Sequence, residues 1–229
     1  PSRAGLGSSS SFSTGLINAI HKLKKRKLNK FSLTKETINF EQNILKECVG
    51  SQDQIAAAYG GFNHIKLKKN NFKVNPINLN GWRQKLLNES LMICLIEGKR
   101  SAQNIEKSKI KNVNQNEKFY LQINDLTDES LKLINSNNDE SLIKFGKLVS
   151  EYWNLKKQLH PSVTKEIVDY HINKFIKFGA YGCKLMGAGH SGFLLIIANK
   201  KVRSKIKSRF NKLKFIDVLG NSEGSKIIL

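Results

Sequence analysis

A glycine- and serine-rich run that passes directly into a helix constrains this chain more than any other feature. Residues Pro1-Ser2-Arg3-Ala4-Gly5-Leu6-Gly7-Ser8-Ser9-Ser10-Ser11 lead into Phe12, Leu16, Ile20 and Leu23, which recur every three or four positions and mark one helical face. Glycines let a backbone approach a ligand closely, and serines at a helix start leave N–H groups and hydroxyls available. A helix N-terminus carries about +0.5 of a charge and binds phosphate readily. No Gly-Lys-Ser/Thr triplet follows the glycines, so this is not the common phosphate loop. A flexible linker before a Ser-capped helix would look the same, and the loop alone leaves both readings open.

Downstream, helical and extended patterns interleave without the period of a barrel or a repeat, which predicts an α+β chain. A second helix is predicted from about Thr34, as N-cap, to Cys48, and a short one before Gly60-Gly61. Two short strands, Phe62–Leu67 and Phe72–Val74, flank a polar turn. The texture changes near Leu79. A strand at Leu91–Leu95 precedes helical stretches at roughly Arg100–Val113, Asp125–Ile134, Ser141–Leu159 and Thr164–Lys177. The end reads strand, glycine turn, strand, helix, strand. Two parts are expected, residues 1–78 and 79–229.

The formal net charge is +21, which invites a nucleic-acid partner. The lysines are nevertheless spread along the chain, and the densest run, Lys24-Lys25-Arg26-Lys27, reads as the solvated end of the first helix. No zinc-finger spacing, helix-turn-helix or RNA-binding aromatic signature accompanies them. Neither nucleic acid nor membrane is expected as a partner, because no apolar run approaches the ~18 residues of a span. Cys48, Cys94 and Cys183 lie far apart among apolar residues and are expected as buried thiols in a reducing cytoplasm.

Two carboxylates and one further glycine run could carry chemistry. Glu41 falls within the stripe of Ile38, Ile44, Leu45 and Cys48, where a charge is costly unless it meets a cation or strong donors. A metal ligand, or a Glu at the stripe's edge reaching water, would account for it. Asp53 begins a short helix of small residues and reads either as a helix cap or as a base near a phosphate. In Gly182-Cys183-Lys184-Leu185-Met186-Gly187-Ala188-Gly189-His190-Ser191-Gly192-Phe193, two strands flank a turn richer in glycine than an ordinary hairpin. Its glycines either supply positive φ alone or give a backbone that packs on a triphosphate, with His190 as a turn residue.

In this order the segments resemble the GHMP kinases, the family of galactokinase, mevalonate kinase and homoserine kinase. Pro1 to Ser10 is similar to the family's motif Pro-x-x-x-Gly-Leu-Gly-Ser-Ser, and Gly187 to Gly192 to its later glycine-rich motif. The resemblance implies that Arg3, Ala4, Gly5, Leu6, Gly7, Ser8, Ser9, Ser10, Gly187, Ala188 and Gly189 contact ATP phosphates. It further implies that Ser9 and Glu41 hold Mg²⁺, and that Asp53, twelve residues beyond Glu41, acts on the sugar hydroxyl. The runs Asp53–Asn63, Trp153–Lys157 and Gly182–Phe193 look most like the heptose-phosphate branch of the family, which phosphorylates an anomeric hydroxyl. His190 and Ser191 replace glycines common in the later motif, and Ile96-Glu97 stands where Thr-Gly is frequent.

The expectation is thus a two-domain α+β kinase with a ferredoxin-like second part, using ATP and Mg²⁺ on a sugar or sugar phosphate. The competing expectations are a kinase of this family for another sugar, galactose- or fucose-like, and a non-catalytic basic binding protein on a decayed kinase fold. Because the family's first motif is absent, the chain is expected to start inside the phosphate loop and to be inactive and poorly stable alone.

Overall fold

The computed structural model describes residues 5–69, 71–96, 113–136, 138, 140–218, 220 and 222–228. The helix expected at Arg100–Val113 lies almost wholly outside them. Among the described residues, one compact unit comprises 7–78 with 220 and 222–228, and the other comprises Gly5, Leu6 and the residues from Leu79 to 218.

The first unit holds α1 (Ser8–Leu23), α2 (Lys30–Asn39), α3 (Gln52–Tyr59) and the antiparallel hairpin of β1 (Asn63–Lys68) and β2 (Asn71–Pro76). Helix α2 starts four residues before the expected cap. Asn29 is the cap, accepting from the Ser32 N–H at 2.8 Å, while Thr34 is buried and donates back to the Lys30 carbonyl at 2.8 Å. An Asn oxygen is a strong cap, and a Thr hydroxyl inside a helix finds its own carbonyl instead. The helix does not run to Cys48. It widens into a π-helical turn at Phe40–Ile44 and ends.

The interior of this unit is unusually polar. Leu33, Ile55 and Ala58 are buried, but so are Ser10, Ser13, Thr14, Thr34, Thr37, Glu41 and Gln54. Small hydroxyl residues let helices approach closely and satisfy themselves locally: Thr14 donates to Ser10 O at 2.6 Å and Thr37 to Leu33 O at 2.8 Å. The apolar face of α1 is therefore not the face turned inward. Phe12 is 71% and Leu23 83% exposed, with Leu16 and Ile20 each 40% exposed.

The C-terminal residues reach this unit through glycine. Gly61 N–H donates to Ser222 O at 2.6 Å, Ser225 N–H to Ala57 O at 2.8 Å, and Asn18 to the Ser225 hydroxyl at 3.0 Å. A Cβ on Gly60 would stand 2.1 Å from Gly224 N, and one on Gly224 would stand 2.2 Å from Ala58 O, so neither position admits a side chain.

The second unit holds α4 (Gly81–Ser90), β3 (Leu91–Ile96), α5 (Glu117–Asn135), α6 (Glu140–Gln158), a 3₁₀ turn (Pro161–Val163), α7 (Glu166–Lys177), β4 (Gly182–Leu185), β5 (Gly192–Ile197), α8 (Lys200–Arg209) and β6 (Phe215–Asp217). The sheet order is β4-β5-β3-β6, with all neighbours antiparallel. Counted within this sheet the order is 2-3-1-4, the split βαββαβ arrangement of ferredoxin-like folds. Strand alternation decides the faces. Met92, Cys94 and Ile96 join Leu194 and Ile196 in the main core with Trp153, Phe175 and Ile206, whereas Ile93 and Phe193 pack on the opposite face. Helix α6 meets β4 at a pair of glycines: a Cβ on Gly182 would lie 1.7 Å from Gly146 O. No helix among the described residues is long and apolar enough to cross a membrane.

Candidate functional site

Glycine geometry places the start of α1. Gly5 has φ 85° and Gly7 φ 66°, left-handed conformations that side chains disfavour, and Gly7 turns the chain so that Ser8 opens the helix. Gly7 O accepts from Ser11 N–H at 2.9 Å. No side chain caps this end and no acidic residue occupies its first turn, which leaves the positive end of the helix dipole for an anion. Ser8 and Ser9 are exposed there. Arg3 and Ala4 lie outside the described residues.

Asp53 stands against this turn. A Cβ on Gly7 would lie 3.1 Å from the Asp53 carboxyl carbon and 3.3 Å from its Oδ2, so the absent side chain is what lets the carboxylate sit beside the loop. Asp53 occupies the first turn of α3 and is exposed.

Glu41 is supplied by the π-helical turn. Leu45 N–H reaches back to Phe40 O at 2.9 Å, and the extra residue re-aims the side chain inward; such bulges recur at functional sites. The side chain is fully buried. Its Oε2 accepts from the Ser10 hydroxyl at 2.9 Å and from the Gln54 amide, while Oε1 has no hydrogen-bond partner. The link from α1 to Glu41 is thus Ser10, one residue beyond the expected Ser9, which lies exposed in the first turn. Neither Ser10's bond to Glu41 nor that of Gln54 was legible in the sequence. The one available signal for Gln54 was its place beside Asp53, a polar residue at an inward helical position.

Buried acceptors without donors are rare, and two occur together here, Glu41 Oε1 and Gln54 Oε1. An oxygen-only set with one carboxylate fits a hard cation such as Mg²⁺, which takes one or two protein oxygens and completes its shell with water and phosphate. Among the described residues no group of three His, Cys, Asp or Glu could hold a metal unaided.

The later glycine turn belongs to the second unit. Gly187 (φ 72°), Gly189 (φ 127°) and His190 (φ 72°) all have left-handed backbone, joining β4 to β5. A Cβ on Gly189 would lie 2.5 Å from Val163 O, and His190 N–H donates to that same carbonyl at 2.7 Å. The turn is held on the 3₁₀ turn of its own unit, and Lys156 Nζ donates to Gly187 O.

Residues 1–61, which include the loop, Glu41 and Asp53, match the family described as the GHMP kinases N terminal domain. The solved mevalonate kinase covers 94% of this chain with a TM-score of 0.71 at 23% identity, the chain covering 65% of it. The chain has the GHMP kinase fold. A solved D-glycero-D-manno-heptose 1-phosphate kinase from Bacteriodes thetaiotaomicron shares that fold over 98% of this chain and 63% of its own, with a TM-score of 0.68 and 19% identity. Among curated proteins, D-glycero-alpha-D-manno-heptose 7-phosphate kinase of Campylobacter jejuni is 26% identical over 200 residues, 87% of this chain. The chain spans 59% of that relative's length.

Proposed function

We propose that this chain is the phosphoryl-transfer part of an ATP-dependent sugar kinase, acting on the anomeric hydroxyl of D-glycero-D-manno-heptose 7-phosphate. One observation carries the reading: the Asp53 carboxylate lies against Gly7 at the open start of α1, and Glu41 is tied beneath the same turn through Ser10. The choice of sugar rests on the heptose 7-phosphate kinase relative.

The open start of α1 at Gly7–Ser10 would take phosphate oxygens of ATP, the uncapped helix end and its dipole offsetting their charge. Ser9 and Glu41 would hold Mg²⁺, which would supply charge neutralisation on the phosphates. Asp53 accepts the hydroxyl proton as the new O–P bond forms and the bond to the leaving ADP breaks. Holding the hydroxyl in line accounts for much of the expected acceleration. In the second unit, the turned backbone of Gly187, Ala188 and Gly189 presents main chain without bulky side chains and suits contact with phosphate.

The test is ATP-dependent ADP release by the purified protein over a panel of heptose 7-phosphate, galactose and fucose, with Mg²⁺ present and then chelated. Turnover with heptose 7-phosphate, lost on chelation, is expected. Preference for galactose or fucose would keep the kinase and replace the substrate. A protein that turns over no sugar would favour a binding role instead.

A further inference from the structure

We propose that Gln54 is a positioning residue that fixes the Glu41 carboxylate for a divalent cation, a role that rests on the kinase reading for its chemistry. Gln54 follows Asp53 on α3, and neighbouring helical side chains point about 100° apart. Asp53 therefore faces the loop while Gln54 turns fully inward. Its amide nitrogen donates to Glu41 Oε2, the oxygen that also accepts from Ser10. Both donors converge on one oxygen, which locks the carboxylate in one orientation and leaves Oε1 as the oxygen without a partner.

The chemistry of the two donors explains the choice of residue. A hydroxyl and a primary amide are neutral donors, so they orient Glu41 without bringing the positive charge that Lys or Arg would. A purely packed position would use Leu or Met of similar size, avoiding an amide whose own oxygen also lacks a partner. A carboxylate oxygen held in one orientation and left without a partner suits a hard cation.

The test measures Mn²⁺ binding by the purified protein with a non-hydrolysable ATP analogue, alongside Mg²⁺ activation curves and thermal melts. Gln54→Met, of similar shape without the donor, is expected to weaken Mn²⁺ about tenfold. It should raise the half-activating Mg²⁺ concentration to match, with kcat at saturating Mg²⁺ within about threefold. Gln54→Asn keeps a shorter donor and should weaken Mn²⁺ by roughly threefold; it also serves if Gln54→Met does not fold. A lower melting temperature with unchanged Mn²⁺ affinity in both variants would overturn the proposal, as would a wild-type protein that binds no Mn²⁺. Mn²⁺ binding needs no turnover. Weakened binding in the variants of a protein that phosphorylates no sugar would support the clamp and refute the kinase reading; equal binding with normal wild-type turnover would refute the clamp alone.

Discussion

Gly7→Ala puts a methyl group where the account needs none. The residue sits at φ 66°, where an L side chain costs about 1–2 kcal/mol, partly offset by about 0.4–1 kcal/mol from a stiffer unfolded chain. The net loss of roughly 1 kcal/mol corresponds to a fall in Tm of about 2–4 °C for a chain of this length. The same methyl would lie 3.1 Å from the Asp53 carboxyl carbon, so the carboxylate must retreat by a few tenths of an ångström. A misplacement of about 1 Å costs roughly 10²-fold in rate, so a fraction of that predicts a kcat about five- to tenfold lower. Gly15→Ala is the control. It lies in the same helix with nothing within 4 Å of the added carbon, and should gain about 1 kcal/mol with unchanged kcat. Melting curves and steady-state kinetics on both variants decide the matter. A Gly7→Ala enzyme that loses stability yet keeps its full kcat would show that the contact between loop and Asp53 plays no part in the reaction.

If Asp53 acts on the hydroxyl as proposed, Asp53→Asn should lower kcat by about 10²–10⁴-fold with little change in KM for ATP; unchanged turnover would leave it a first-turn carboxylate of α3 facing the helix dipole, since Ser51 is the cap residue. Cys48 is half-buried while Cys94 and Cys183 are buried, with burial pushing the Cys94 thiol up to about 12 and Cys183 higher still. One thiol should therefore react with a disulfide reagent at neutral pH in the native protein and three in denaturant, and fast reaction of all three would contradict the packing of the sheet. Gly182→Ala forces a carbon to 1.7 Å from Gly146 O and should lower Tm by several degrees, with a wild-type melt arguing against the contact between α6 and β4. Phe12→Ser combined with Leu23→Ser should reduce binding of a hydrophobic dye and change Tm little, because both side chains are mostly exposed.

The glycine loop, the two glycine turns and most helices were legible in the sequence because each depends on local chemistry. Gly7 and Gly189 take left-handed backbone, and the continuous apolar runs through Leu91–Ile96 and Phe193–Ile197 have the length of buried strands. What stayed hidden depends on distant partners. The return of residues 222–225 to Gly60 and Gly61 follows from Gly224 meeting Ala58, a contact that no local pattern reveals. Glu41 stood out as a charge within an apolar stripe, yet Ile44 and Leu45 of that stripe lie exposed once the helix ends in its π-helical turn; that turn, and the donors Ser10 and Gln54, arise from how three helices meet. The apolar stripe of α1 marks a face that lies exposed, while the side turned to α2 and α3 is the hydroxyl face of Ser10, Ser13 and Thr14. Cys48 likewise lies at the edge of its unit rather than in a core.

Transfer of the ATP γ-phosphoryl group to an anomeric oxygen can be read by NMR on the product. D-glycero-D-manno-heptose 7-phosphate labelled with ¹³C at C1 is incubated with the protein, ATP and Mg²⁺, and the C1 resonance is followed. The account predicts that C1 becomes coupled to a new phosphorus, with one ADP formed per coupled carbon, and that Asp53→Asn slows this conversion by about 10²-fold or more. ADP formation with an uncoupled C1, or phosphorus appearing at another carbon, would contradict it.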